Sequence, residues 1–403
     1  MSEVFVLCGD SVEILKTYPD NHFDSVVTDP PYGLSDHTAE DFVSCLQSWM
    51  AGKEFKTKKK GFMGNTWDSW VPGPELWKEV YRVLKPGGHL LAFAGSRTHD
   101  LMSVAIRLAG FTNRDTLMWV YGCGMPKSMD VSKAIDKAAG VTGSYGEKKP
   151  NAHSRGNHVQ HDGWKRPWQD DPEVVDKSGR EYLPQSAAAR QWQGWGTQLK
   201  PAYEPILMFR KPFTGTVAQN VLEHGTGAIN IEGCRVRSEE SDVGRFPANF
   251  THDGSDEVLG LFPNSNGAGK SLPRVKVTGY GNKNTGTGTA EYFGGDRIPF
   301  DSGSGSAARF FYSPKASKKD RGEGNTHPTV KPRELMKWLV RMVTPKGGKV
   351  LDPFGGSGTT GVACIEEGFD CVLIELDHKH VDIINNRLIE CKLSLRNKLE
   401  FEE

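Results

Sequence analysis

The feature that most limits what this chain can fold into is an interrupted pattern. Apolar strands alternate with helices over residues 1–120 and again from 327 to 390, and between them lie 206 residues of a different kind. In the first block EVFVLCGD and FDSVVTD are short apolar runs ending in an aspartate. SVEILKTYP and GPELWKEVYRVLKPGG have helical spacing and stop at proline or glycine, and HLLAFAG, THDLMSVAIRLAG and FTNRDTLMWVYG continue the alternation. In the last block KPRELMKWLVRMV is an amphipathic helix, KVLDPF and DCVLIELD are buried strands, and GGSGTTGVACIEEG is a glycine turn opening into a helix. A long helix, HKHVDIINNRLIECKLSLRNKL, follows. Neither block holds enough elements for a doubly wound domain. Together they predict one α/β sheet, with helices on both faces, assembled from the two ends of the chain.

Residues 121–326 hold 29 of the 46 glycines, so they cannot build a large independent core. The strand-like EPILMFRK and four tryptophans (Trp164, Trp168, Trp192, Trp195) nevertheless predict partial order on the main sheet. This gives three regions: 1–120, an insertion over 121–326, and 327–403. Fifty basic residues balance 50 acidic ones, which excludes a histone-like binder and leaves room only for a local basic groove. Candidates for such a groove are the lysines of KEFKTKKK (53–60), Lys318, Lys319 and Arg321, and the basic and aromatic runs GWKRPW and RQWQGWG. The seven cysteines form no CxxC pair and the histidines no HExxH, so neither a disulfide framework nor a metal site is expected. No apolar run approaches about eighteen residues and no basic leader opens the chain, which predicts a cytoplasmic protein without membrane contact.

Two strand ends carry the chemistry. After KVL come Asp352, Pro353, Phe354, Gly355, Gly356, Ser357, Gly358 and Thr359, a glycine turn lacking both the GxGxxG spacing of dinucleotide sites and the lysine of a nucleoside triphosphate loop. Glu375 ends the next strand, where a carboxylate can accept hydrogen bonds from ribose hydroxyls. A ribose without a pyrophosphate points to a nucleoside cofactor such as S-adenosylmethionine. After FDSVV come Asp29, Pro30, Pro31 and Tyr32. The carboxylate and a prolyl carbonyl suit the two hydrogens of an exocyclic amine, and the ring suits stacking on the base that carries it.

With DPPYG at 29–33 and DPFGGSGTTGVA at 352–363, the chain resembles the amino-methylating DNA methyltransferases that use S-adenosylmethionine. The catalytic motif precedes the cofactor motif, as in the circularly permuted beta class of that family, and parts of the middle region resemble methylases of phages and mobile elements. The resemblance implies a Rossmann-like methyltransferase sheet, circularly permuted, with 121–326 as a large loop-rich target-recognition insertion. It implies that Asp10 contacts the cofactor adenine and that His327, Thr329 and Lys331 of HPTVKP lie near its methionine end, with Asp29 close by. The glycine turn departs from many relatives, which carry alanine after the first glycine.

The function implied is methyl transfer to adenine N6 of a base flipped out of double-stranded DNA, with Asp29, Pro30 and Tyr32 as catalytic residues. Cytosine N4 is the alternative target, since the first motif position only favours adenine. A catalytically silent DNA-binding module is the alternative from another class, and an RNA or free-base amine methylase a third. No Pro-Cys pair is present for carbon-5 chemistry. The recognition sequence, the oligomeric state (a homodimer included) and any cognate restriction enzyme stay open at this level.

Overall fold

The computed structural model describes residues 2–61, 66–122, 124, 128–148, 180–238, 241–265, 305–314, 320, 325, 327 and 329–402. Two compact units emerge, one formed by 1–123 with 202–403 and the other by 124–201.

The first unit is built on an eight-stranded sheet. Its strands are β1 (Val4–Cys8), β2 (Phe23–Thr28), β3 (Leu84–Phe93), β4 (Thr112–Val120), β5 (Tyr203–Arg210), β6 (Phe250–His252), β7 (Lys349–Asp352) and β8 (Asp370–Glu375). Their order across the sheet is β1-β8-β7-β2-β3-β5-β4-β6. The ends of the chain therefore do form one sheet, in the permuted order expected: β7 of the last block lies beside β2 of the first. All neighbours are parallel except β5, which runs antiparallel to both β3 and β4. The strand read as EPILMFRK is thus an internal strand, and the span 121–326 is not structurally uniform, since its 203–210 and 250–252 segments belong to the main sheet.

Every residue of β2 is buried, as a strand covered on both faces requires. On one face pack α1 (Ser11–Leu15), α2 (Ala39–Met50), α3 (Pro74–Val83) and α4 (His99–Leu108), centred on Trp77. On the other pack α5 (Arg333–Val343), α6 (Thr359–Glu367) and α7 (His378–Glu402), centred on Trp338. The spacing of Leu335, Met336, Leu339, Val340 and Val343 puts one stripe of α5 on the sheet, which is why this short helix is stable only in the fold. Past the C-terminal end of β5, Lys211 buries its ammonium and donates to the carbonyls of Tyr81 and Leu84, 2.7 Å each, satisfying groups at the C-terminus of α3. That anchor fixes one end of the antiparallel strand and so the placement of the other.

In the second unit the helix Val131–Ala138, the paired strands Ser144–Lys148 and Arg180–Leu183, and the helix Ala187–Gln191 converge on Asp136. Its carboxylate accepts from the Tyr182 hydroxyl (2.8 Å) and from the amides of Gln185 and Ser186. Trp192 and Trp195 meet edge to face at 5.1 Å and both stay exposed. GWKRPW, Lys318, Lys319 and Arg321 lie outside the described residues.

Candidate active site

β7 and β2 are adjacent, and from this pair the chain proceeds to opposite sides, from β7 to β8 and from β2 to β3. Such a switch point opens a crevice outside the carboxyl ends of the strands. Both sequence-predicted strand ends fall there, Asp29 after β2 and the glycine turn after β7.

Gly356 and Gly358 of the turn have φ of 52° and 78°, a region side chains rarely adopt, and Gly358 opens α6. A Cβ on Gly358 would sit 2.8 Å from the Ile384 side chain, so glycine is needed for space as well as for angle. Glu375 accepts the Gly356 amide at 2.7 Å and the Asp377 amide at 3.0 Å, and so braces the turn. Arg387, buried beneath, donates to the Ser357 carbonyl and to Thr359 Oγ1. Phe354 is half-buried at the mouth of the turn. Asp10 caps α1, its Oδ1 accepting from the amides of Val12 and Glu13, at the end of the strand paired with β8.

Asp352 is buried beneath both motifs. It accepts from Thr28 Oγ1 (2.6 Å), Thr360 Oγ1 (2.5 Å) and the Phe354 amide (3.1 Å), tying β2 to β7. Burial pushes its carboxyl up to about 7; the three donors pull the other way, and Asp29 adds a further push upward. Because this pKa is raised in the folded state, the group is protonated in the native chain and ionised in the unfolded chain between about pH 4 and pH 7. Its contribution to stability is therefore lost as pH rises across that window. Asp352→Asn, which cannot ionise, should gain stability relative to the native chain by about 1–3 kcal/mol on going from pH 5 to pH 8. Urea unfolding at the two pH values reads this difference, and an identical difference at both would refute it.

DPPYG is held rigidly. Asp68 Oδ1 accepts the amides of Tyr32 (2.8 Å) and Gly33 (3.0 Å), and Thr98 Oγ1 donates to the Tyr32 carbonyl at 2.6 Å. Gly33 has φ of 66°, and a Cβ there would meet the Val71 amide at 2.8 Å. Asp29 itself is doubly engaged. Its Oδ1 accepts from the Tyr32 hydroxyl at 2.9 Å, and its Oδ2 lies 2.8 Å from Lys331 Nζ. The same ammonium lies 3.1 Å from Glu204 Oε2, and the same hydroxyl 3.0 Å from it. One ammonium and one phenol thus bridge two carboxylates. Burial alone would lower the Lys331 pKa, but Asp29 and Glu204 outweigh it and leave the lysine above its ordinary value. Burial, then the two negative charges, holds the Tyr32 phenol well above its ordinary range, so it stays protonated.

The HPTVKP residues divide between the two motifs. His327 lies against the glycine turn, 3.4 Å from where a Cβ of Gly356 would be, with its ring 4.6 Å from that of His380 and its Nδ1 2.6 Å from the Thr329 carbonyl. Thr329 is exposed, and Lys331 reaches the DPPY end. Of the candidate phosphate lysines, Lys59 is paired with Asp41 and Lys56 with Glu54. Sequence reasoning missed Glu204, Asp68, Thr28, Thr360 and Arg387. Only Glu204 carried a signal: it is an acid at the head of an apolar strand, before Pro205.

A sheet whose switch point joins a glycine turn, flanked by carboxylates, to a rigid strand end carrying Asp29 defines a crevice suited to group transfer. A family model described as DNA methylase matches residues 23–386, and the chain belongs to that N6/N4 DNA methylase family. It is 26% identical over 401 residues to the Type II methyltransferase M.HindIII of Haemophilus influenzae, covering 94% of this chain and 93% of that one. Against the Type II methyltransferase M.SmaI of Serratia marcescens it is 41% identical over 85 residues, 19% of this chain and 29% of the other. A solved structure of PvuII DNA methyltransferase (cytosine-N4-specific) superposes with a TM-score of 0.43 at 15% identity, covering 96% and 93% of the two chains. As a member of the DNA methylase family, the protein is an S-adenosylmethionine-dependent DNA methyltransferase. The donor set fits that cofactor: carboxylates end β1, β2 and β8 around the glycine turn, able to accept from hydroxyl and amino groups and to offset a sulfonium charge.

Proposed function

We propose that the chain is a site-specific methyltransferase of the permuted beta class that methylates adenine N6 in duplex DNA, acting on a base flipped out of the stack. The observation that carries this reading is the adjacency of β7 and β2, which puts the cofactor turn and Asp29 side by side at one sheet edge. A donor held at the turn and an amine held at Asp29 then meet at near-attack distance. Asp10, His327, Thr329, Phe354, the 355–359 turn and Glu375 hold the cofactor, Asp352 supports the turn from beneath, and Lys331 spans toward the cofactor from the DPPY end. Asp29 and the Pro30 carbonyl accept the two amine hydrogens, leaving the nitrogen lone pair directed at the methyl group, and the Tyr32 ring supports the base.

S-adenosylmethionine, when bound at the turn, would supply the methyl group, its sulfur keeping the electron pair of the carbon–sulfur bond. The amine lone pair forms the new carbon–nitrogen bond, and the positive charge passes from sulfur to nitrogen. One N–H proton then leaves by way of the Asp29 carboxylate to water. Favouring the nitrogen's charge as it develops is the electrostatic task of Asp29. Residues 1–120 act as the catalytic half, 327–403 as the cofactor half and 121–326 as the target reader. The near full-length similarity to a Type II methyltransferase supports a place in restriction–modification.

Methylome sequencing of cells expressing the chain, beside an Asp29→Ala control, should show N6-methyladenine at one recurring sequence in the first and none in the second. Modification at cytosine N4, or none in either culture, overturns the adenine assignment.

A further inference from the structure

Glu204 comes from the middle of the chain, yet it shares both partners of Asp29. Lys331 Nζ is 2.8 Å from Asp29 and 3.1 Å from Glu204; the Tyr32 hydroxyl is 2.9 Å and 3.0 Å from the same two acids. The four groups are largely shielded, with side-chain exposure of 11% for Lys331 and 24% for each acid, so their charges act on one another through little water. With Asp29 alone, the ammonium would cancel the carboxylate and leave a neutral site. Two acids with no ammonium would repel one another. Two acids sharing one ammonium carry one formal net negative charge at the carboxyl ends of the strands, next to the glycine turn.

We propose that Glu204 sets the charge of the transfer site: by dividing Lys331 and the Tyr32 hydroxyl with Asp29, it matches the cluster's single negative charge to the single positive charge that moves from sulfur to nitrogen. The inference rests on the methyltransferase reading. Glu204 acts on Asp29 through Lys331 and Tyr32, and is therefore a positioning residue. Its placement comes from the direction of β5, which, being antiparallel, presents its first residues at the edge where β2 and β3 end.

The test separates charge from packing. S-adenosylmethionine is cationic at sulfur and S-adenosylhomocysteine is neutral there, so the ratio of their dissociation constants, measured by calorimetry without DNA, reports the charge of the site. Glu204→Gln keeps the size of the side chain and removes its charge. It should lower the preference for the cationic form by about tenfold, leave affinity for the neutral form within about twofold, and slow single-turnover methylation by about tenfold. Adding Lys331→Met to Glu204→Gln restores one net negative charge, so the double variant should return the preference to within about threefold of the native chain. A structural role for Glu204 predicts the reverse, since a second lesion would not repair the first. An unaltered preference in Glu204→Gln overturns the proposal, and so does a folded double variant with no recovery. If the double variant does not fold, the single variant's preference decides alone. A native chain that binds neither compound would instead overturn the methyltransferase reading itself.

Discussion

Asp29→Asn should lower single-turnover methylation of cognate duplex by a factor of about 100 or more, close to 2.7 kcal/mol of transition-state stabilisation. The substitution keeps the volume and one acceptor oxygen, and Tyr32 can still donate to it. It removes the charge that Lys331 partly neutralises and that the reacting nitrogen needs as it becomes positive. Duplex affinity at one fixed salt concentration should change by less than about threefold, because phosphate contacts supply most of it and a carboxylate offers a phosphate no attraction. A variant that methylates at near the native rate would refute the assignment, as would one whose deficit is fully explained by weaker DNA binding.

Lys331→Met should be the most destabilising single change in the site, by about 2–4 kcal/mol in urea unfolding near pH 7.5. Methionine fills the space but leaves Asp29 and Glu204 facing one another across the Tyr32 hydroxyl. The pH dependence comes from the same geometry. In the native chain the Lys331 pKa is raised, so its contribution is fully present below the ordinary lysine value and lost only as pH rises through the folded pKa. In the variant two carboxylates face one another without the cation, and acid relieves that repulsion, so the deficit should shrink as pH falls toward about 5. A midpoint equal to that of the native chain at pH 7.5, or a deficit that grows on acidification, would show that the ammonium does not hold the pair together.

Much of this site was legible in the sequence because its parts are local. An apolar run ending in Asp-Pro-Pro-Tyr fixes its own backbone, and Asp352 with the glycine turn announces a strand feeding a helix. The joining of the two terminal blocks was legible too, since neither had enough strands to bury its own faces. Tertiary structure alone decided the partners of these groups. Asp68 caps the DPPY turn from 36 residues away, and Thr28 and Thr360 reach Asp352 from two different blocks.

Glu204 marks the boundary most clearly. As sequence it is one acid at the head of a strand inside a glycine-rich span; as structure it stands over Asp29 because that strand enters the sheet antiparallel between β3 and β4. Hydrophobic periodicity says that a strand exists and which faces it buries, but not which neighbour it pairs with or in which direction. Backbone chemistry within a few residues determined the turn and the strand ends. Strand direction, set by pairing between segments far apart in the chain, determined the charge around them.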